Sequence, residues 1–405
     1  MSETVAGEGV RIELEGSIGS LRIERRATVV VRGERLTVEG EVRVRGPARI
    51  EGSLVCGGFE SRDGEVRLVG DLTSREGVEV RDGALEVTGS LEAPSADVDR
   101  RLTVGGPAKV AKLDVGGQLT CAATLLAQRV SVGGVMRVTG RLEADRVDAG
   151  GSAEIGEAAI GELEVGGMIQ IGSGTVHRWI EIGGRLIVDG PLTFGGLEAG
   201  GRVEFRGPAK GGSIEVGGIL EARSELTFED LRIGGIGRIA DRGQGRSAEI
   251  GGRFSVGGDL ELSGRLEVGG RASIDGALRA REVEIGGRLE AERAVAAESL
   301  EVGGAISTRA GARAGRLRLG KRSTSRGPLI GDRVEIGAHA MAEEVFGMSV
   351  LVDRDARVRR IVAEEVELRA GAEVDEVVYL RQLRVDPKAQ AGNSRQVGTL
   401  PPFPL

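Results

Sequence analysis

The chain has 405 residues, of which 69 are Gly and only 2% are aromatic, while 40% are hydrophobic and 29% are charged. This composition argues against disorder and predicts a folded core built almost without rings. The formal charge of -7 comes from 62 acidic and 55 basic residues that are interleaved along the chain, so no basic face for nucleic acid is indicated. We therefore expect no nucleic-acid partner.

Residues 1–33 form an N-terminal segment of ambiguous structure. The first ten residues, MSETVAGEGV, lack the basic and apolar regions of a signal peptide, and no apolar run in the chain is long enough to cross a bilayer. These features favour a cytoplasmic protein with no visible membrane anchor, although a membrane contact stays open. Apolar and polar residues alternate from residue 10 to 33, which fits either a first coil or a hairpin cap.

A pair of Gly residues recurs along the chain with a period of about 17 residues, and only two of its steps are slightly shorter or longer. One supersecondary unit stacked many times is the usual cause of such a period. We assign each pair to a corner of the unit, where Gly allows a positive φ without steric cost. The first Gly residues of the pairs are Gly116, Gly133, Gly150, Gly166, Gly183, Gly200, Gly217, Gly234, Gly251, Gly269, Gly286 and Gly303.

Apolar and polar residues alternate on both sides of each pair. Around Gly269 the alternation runs through LEV at 266–268, ASI at 272–274 and LRA at 278–280. A period of two predicts strands with one buried face, and three such strands in each repeat leave no room for a helix. The predicted fold class is therefore all-β: a single-stranded triangular β-helix, or β-solenoid, of about 17 residues per coil.

We assign residues 34–388 to the solenoid. Upstream of the Gly pairs, Leu36 and Leu54 fit the strand that precedes a corner. The segment from Glu92 to Lys112 departs from the period, so we expect it to carry a protruding loop. The Pro-containing tail, residues 389–405, includes LPPFPL and is expected to be disordered.

Three features resemble the bactofilins, the polymer-forming cytoskeletal proteins of bacteria and archaea. They are the pattern LEVGGR at 266–271, the length of the coil, and the closing segment VVYLRQLRVDPKAQAG at 377–392. The likeness extends from about Leu36 to Val385. It implies a right-handed β-helix that polymerises end to end without nucleotide or any other cofactor, with another copy of the chain as its partner. Other right-handed triangular solenoids, such as the C-terminal domain of the cell-division regulator of the Min system, share the repeat pattern.

The ends of a solenoid are also the natural place for self-assembly. Each end presents strands with unpaired N–H and C=O groups, which are a template for another molecule, and neither terminus contains a helical pattern that would cap it. The segment 377–385 is apolar and closes the regular part of the chain. The predicted polymer contacts are Val377, Val378, Tyr379, Leu380, Leu383 and Val385. The alternative interpretation is an ordinary last coil covered by the tail.

Two other functions stay open beside a self-assembling, non-enzymatic scaffold. One is a capped solenoid that does not polymerise and serves as an interaction module for a division or envelope assembly. The other, more distant, is an acyltransferase-like enzyme, because IGAHAMAEEV around His339 is similar to left-handed β-helix acyltransferases that use a His as general base. We expect His339 to lie at the surface and His177 to pack near Trp179, and we predict no catalytic, metal or cofactor site.

Two further sets of residues have structural interpretations. Cys56 and Cys121 fall in inward-facing positions on different sides of the coil, so we expect buried thiols that are not bonded to each other. Acidic residues such as Glu267 and Glu284 stand two positions before the corners, with an Arg four residues later. Stacked carboxylates repel, so we expect pairing with these Arg residues around the corner and a solvated face, with a cation-binding or partner-binding stripe as the alternative.

Overall fold

The computed structural model describes residues 3–293 and 295–403. Within these two ranges the chain forms strands, turns and bends and contains no helix. Strands pair in parallel with the strand one coil later: Leu266 lies beside Val283, and Val283 beside Leu300. The protein is therefore a β-solenoid, which confirms the fold predicted from the repeat. Its handedness stays a prediction.

The chain divides into two compact units, Met1–Gly201 and Arg202–Leu405, and this division falls inside the repeat without a change in its pattern. The strands of the first unit are β1 Glu3–Ala6, β2 Arg11–Ile18, β3 Ser20–Ile23, β4 Thr28–Arg45, β5 Ala48–Arg62, β6 Glu65–Val69, β7 Leu72–Arg81, β8 Ala84–Val87, β9 Leu91–Val98, β10 Arg101–Val104, β11 Ala108–Val115, β12 Gln118–Cys121, β13 Leu125–Val132, β14 Val135–Ala149, β15 Ser152–Val165, β16 Met168–Ile182, β17 Arg185–Val188 and β18 Leu192–Ala199.

The second unit begins with β19. Its strands are β19 Arg202–Phe205, β20 Ala209–Val216, β21 Ile219–Ala222, β22 Leu226–Thr227, β23 Asp230–Ile233, β24 Ile236–Ile239, β25 Gly243–Gly245, β26 Ser247–Ile250, β27 Arg253–Val256, β28 Leu260–Leu262, β29 Arg265–Val268, β30 Arg271–Ile274, β31 Leu278–Arg279, β32 Glu282–Ile285, β33 Arg288–Ala291, β34 Val295–Val302, β35 Ala305–Thr308, β36 Ala312–Leu319, β37 Thr324–Ile336, β38 Met341–Val352, β39 Arg357–Leu368, β40 Glu373–Val385 and β41 Gln390–Gln396.

The N-terminal segment forms a coil. β1 pairs in parallel with β3, and β2 pairs in parallel with β4, so residues 3–33 stack like the coils that follow and do not form a hairpin. Met1 and Ser2 lie outside the described residues.

The protruding loop expected between Glu92 and Lys112 is not observed. β9 and β11 pair in register, with Leu91 beside Ala108, and β10 pairs with β12. The expectation was wrong because Asp99 and Arg100 occupy the corner that a Gly pair fills elsewhere, so the marker is missing while the strands continue.

The core consists of apolar side chains stacked in columns along each unit. Leu266, Val283 and Leu300 are at most 1% exposed, and burial of such a side chain contributes about 1.5–3 kcal/mol to stability. A few rings enter the core where the adjoining coil supplies space. Phe254 is fully buried beside Gly237, and a Cβ on that Gly would lie 2.9 Å from the ring.

The corner Gly residues are needed for a reason that the sequence did not indicate. No Gly pair has a positive φ among those described; positive values occur at other corners, such as Gly46 (+74°) and Gly327 (+90°). Instead, the pairs of successive coils lie directly against one another. A Cβ on Gly133 would lie 2.3 Å from the carbonyl oxygen of Gly116, and a Cβ on Gly287 would lie 2.1 Å from that of Gly270. A side chain on these Gly residues would therefore force the stacked backbones to shift apart locally.

The tail is folded over the whole length that the structure describes, contrary to the expected disorder from residue 389. β41 pairs with β40, with Ala391 beside Val374 and Ser394 beside Val377. After it, Val397, Leu400 and Phe403 pack against the outside of the last coils. The Pro-rich composition of the tail predicts disorder only when the apolar surface that the tail covers is left out. Pro404 and Leu405 lie outside the described residues.

Candidate assembly surfaces

The first coil exposes the beginning of the core columns. Ile12, Leu14 and Ile18 on β2 are half-buried, whereas the residues beside Ile12 and Ile18 in the next coil, Val29 and Val38, are fully buried. Column positions that are buried in every stacked coil are thus open to solvent here. This surface, which we call the N-terminal end, offers apolar side chains to a partner.

The backbone at the N-terminal end is also available. β1 pairs only with β3 and β2 only with β4 in the part of the chain that the structure describes, so one edge of each strand has no strand partner. Unpaired N–H and C=O groups on an edge favour the addition of another strand. The combination of an open edge and exposed core positions is the requirement for adding a further coil from another molecule.

The six C-terminal contact residues predicted from the sequence are divided among four environments. Val377 lies in the core, and Val378 is buried on the outside beneath the tail. Tyr379 and Leu380 are half-buried next to β41.

The remaining two predicted contacts, Leu383 and Val385, lie on the second half of β40. They pair with β39, and Val385 is 41% exposed. β41 covers only Glu373–Tyr379, so within the described residues the edge from Gln382 to Val385 has no later strand beside it. Of the six predicted contacts, these two are the ones available to a partner.

β41 is a polar strand that covers the first half of β40, Glu373–Tyr379. Its side chains are mostly exposed, and small residues, Ala391 and Ser394, replace the Val column of β40. A polar closing coil is a common way to stop a solenoid from continuing. The C-terminal end is therefore partly capped, in contrast to the N-terminal end.

Ion pairs cover the outer faces. Most join residues of adjacent coils, as in Arg137 with Glu154 at 2.7 Å, or residues two apart on one strand, as in Arg288 with Glu290 at 3.3 Å. The expected pairing of Arg288 around the corner with Glu284 is thus replaced by pairing on its own strand. Because these pairs are largely exposed, each contributes little to stability.

Like charges stack in register at several places on the first unit, and Asp97 is one example. Asp97 lies beside Asp114 in register, and burial, together with the negative charges of Asp114 and Asp99, raises the pKa of Asp97. The solvated acidic face predicted from the sequence therefore exists with the repulsion that it implies.

Glu204 of the second unit is the buried acidic member of two ion pairs. The Glu204 side chain is only 2% exposed and lies 2.7 Å from Arg223 and 3.1 Å from Arg206. Removing one member of a buried, charge-assisted pair is more destabilising than removing one member of an exposed pair.

We expect Glu204→Ala to lower the free energy of unfolding by about 2 kcal/mol, because it removes charge-assisted hydrogen bonds to two guanidinium groups. The exposed pair offers a matched control: Glu290→Ala should cost less than about 0.5 kcal/mol. Urea denaturation followed by circular dichroism measures both changes. Equal shifts of the two midpoints would contradict the assigned role of Glu204.

A shallow groove runs along the outer face of the second unit, across β34 and β36–β40. Its outward side chains are mainly Arg, Glu and Ser, and Arg318 in the middle lies 3.5 Å from Glu301 and 3.8 Å from Glu335. Charges of both signs neutralise one another within the groove, so it does not favour a ligand of one sign.

The two His residues lie apart and at the surface. His339 is in a corner with a left-handed backbone (φ 58°), exposed as expected, and its Nδ1 lies 3.8 Å from Asp355. His177 is exposed too, which corrects the expected packing role. Among the residues that the structure describes, no group of three or more His, Cys, Asp or Glu side chains could hold a metal ion.

A bulge at His177 and Arg178 places Trp179 outside. The register between β15 and β16 shifts by one residue there, and Trp179 is 39% exposed. Its ring lies across Gly196, where a Cβ would be 1.8 Å from a ring carbon. From the sequence, Trp179 is recognised only as a neighbour of His177. Gly196, which lies beside Trp179 one coil later, was a usable signal that a large side chain faces outward there.

Both Cys residues are buried and are not joined by a disulfide, as expected. Burial raises the pKa of the Cys56 thiol from 9.0 to about 11, and it also raises the pKa of Cys121. A protonated, enclosed thiol is a poor nucleophile.

We expect neither thiol to react with Ellman's reagent in the native protein at about pH 8, and both to react in denaturant.

The thiol of the unfolded chain ionises near pH 9.0 and that of folded Cys56 near 11. The contribution of Cys56 to stability is therefore complete below pH 9 and is lost between pH 9 and 11. Denaturation midpoints measured across this range check the effect, which Cys56→Ala should reduce. Rapid labelling of the native protein would contradict the burial.

No family model matches the chain, and neither a curated protein nor a solved structure matches it. In residues 3–293 and 295–403 there is no helix of sufficient length and apolar character to span a membrane.

Proposed function

We propose that this protein is a bactofilin-like, non-enzymatic scaffold or cytoskeletal protein of the cytoplasm that polymerises end to end without nucleotide. The observation that carries the proposal is the N-terminal end, where Ile12, Leu14 and Ile18 continue the core columns without a described coil to cover them. A second copy would bury these side chains and pair with the free edges of β1 and β2. The protein's main partner is then another copy of itself.

Sedimentation of the purified chain tests this proposal. We expect pelleting that increases with protein concentration, needs no nucleotide and persists in about 1 M salt, because apolar contacts and backbone hydrogen bonds are screened less than surface charges. A soluble species at every concentration, or assembly that requires nucleotide, would contradict it.

A capped interaction module is the second candidate. It is favoured by the polar β41, which covers Glu373–Tyr379, and by the tail that continues from it. In this case the chain stays monomeric or dimeric, and the outer faces bind other proteins of a larger assembly. The same sedimentation experiment separates the two candidates, since only the first predicts large particles.

A further inference from the structure

The last coils carry an apolar stripe on their outer face. Each member follows an inward core residue, such as Val345 before Phe346, and successive strand residues point to opposite faces. The members lie side by side in register and are at most 6% exposed; we call them the outer stripe: Ile330, Phe346, Val362 and Val378. In register, Arg313 precedes the stripe and Arg395 follows it, and both are exposed.

The end of the chain covers this stripe. Val397, Leu400 and Phe403 pack against it, and the ring centroids of Phe403 and Phe346 are 5.8 Å apart at an angle of 57°. We call residues 397–403 the tail segment. Its three contacting residues recur every third position in a sequence containing Pro401 and Pro402, the spacing that places side chains on one side of an extended prolyl segment.

The tail segment has the properties of a separable ligand. β41 before it is fixed to β40, and the backbone N–H of Val397 donates to the carbonyl of Tyr379 at 2.9 Å. Gly398 follows in a bend, and a Cβ there would meet nothing within 4 Å. The chain can thus change direction at Gly398 without disturbing the strand.

The stripe has the properties of a peptide-binding groove. Its centre is apolar, and ion pairs rim it on both sides: Arg360 with Glu376 at 3.4 Å, and Arg381 with Glu364 at 3.2 Å. An apolar centre with a polar rim is the usual composition of a protein interface.

We propose that the outer stripe is a binding groove for the tail segment and that the tail segment of one copy binds the outer stripe of a second copy. An exchanged segment makes the same contacts with a second copy as with its own chain. Within one chain the tail competes at a high effective concentration, so exchange is expected when the chain's own stripe is blocked or its copies are crowded. Such exchange links solenoids through their sides, at a surface separate from the N-terminal end.

Two complementary variants test the exchange. One carries Phe346→Asp, which breaks its own stripe and leaves its tail segment free; the other ends at Gln396 and keeps an empty stripe. Both also carry Leu14→Lys, which blocks the N-terminal end, so a result here does not depend on end-to-end assembly. We expect each variant alone to be monomeric and the mixture to form a 1:1 complex in size-exclusion chromatography with light scattering.

The matched control replaces Phe346→Asp with Met341→Asp, at a side chain of β38 that is 52% exposed. Its own tail stays bound, so we expect little complex with the truncated chain. A complex of equal stability with this control, or no complex in the test mixture while both variants keep their strand signal in circular dichroism, would overturn the proposal.

A synthetic peptide of residues 393–405 provides a second measurement if Phe346→Asp fails to fold. We expect the chain ending at Gln396 to bind the peptide at least about tenfold more tightly than the full chain, because the full chain's own tail competes. Equal binding to both chains, or binding to neither, would overturn the proposal.

Discussion

Leu14→Lys is expected to abolish end-to-end assembly. Leu14 continues a core column at the N-terminal end, where it is half-buried, and a second copy would have to bury it completely. A lysine there would be desolvated without a partner. We expect the concentration needed for assembly to rise by about 100-fold or more, equivalent to about 2.7 kcal/mol. Sedimentation of both proteins measures the change.

Val5→Lys is the control for this experiment. Val5 belongs to the same coil but is 52% exposed, and it alternates with the buried Ala6 so that it faces outward. A charge there should leave assembly almost unchanged. If Leu14→Lys pelleted like the unsubstituted protein while its circular dichroism stayed the same, the joint would not lie at the N-terminal end.

The second large effect is expected from Gly287→Ala. A Cβ at this corner would lie 2.1 Å from the carbonyl oxygen of Gly270, so the two coils must separate locally. Shifts of this kind cost typically about 1–3 kcal/mol, and we expect a loss of about 3 kcal/mol because the Cβ is attached directly to one backbone and the carbonyl it meets belongs to the other, so neither can rotate away. The midpoint of urea denaturation, followed by circular dichroism, measures it.

Gly398→Ala is the matched change at a position with free space, since a Cβ there meets nothing within 4 Å. We expect its midpoint to stay within about 0.5 kcal/mol of the original stability. A similar result for Gly287→Ala would show that the corners tolerate a side chain, and that close backbone stacking does not explain the Gly repeat.

The regular part of the fold was predictable because every coil must bury one face of each strand, which repeats the same alternation of apolar and polar residues. Alternation around Gly269 identifies strands, and the Gly pair marks the corner even though its φ was assigned wrongly. The prediction failed between Glu92 and Lys112, where Asp99 and Arg100 hold the corner. The alternating residues Leu102 and Val104 were present there, and they would have located the strand without a Gly pair.

The assembly surfaces were less predictable because they depend on what covers each coil. The sequence pointed to Val377 and Val378 as contacts, yet the first is in the core and the second lies under the tail segment. A signal for the outer stripe did exist. Two consecutive apolar residues recur at the same position of successive coils, as in Val345–Phe346 and Ile361–Val362. Because successive side chains of a strand point to opposite faces, the second residue of each pair must face outward.

Negative-stain electron microscopy of the purified full-length protein, without nucleotide and across a range of salt and protein concentrations, tests the central claim most directly. End-to-end assembly predicts filaments a few nanometres wide that disappear in Leu14→Lys and persist in Val5→Lys. Single short particles under every condition would contradict the claim and would favour the capped interaction module.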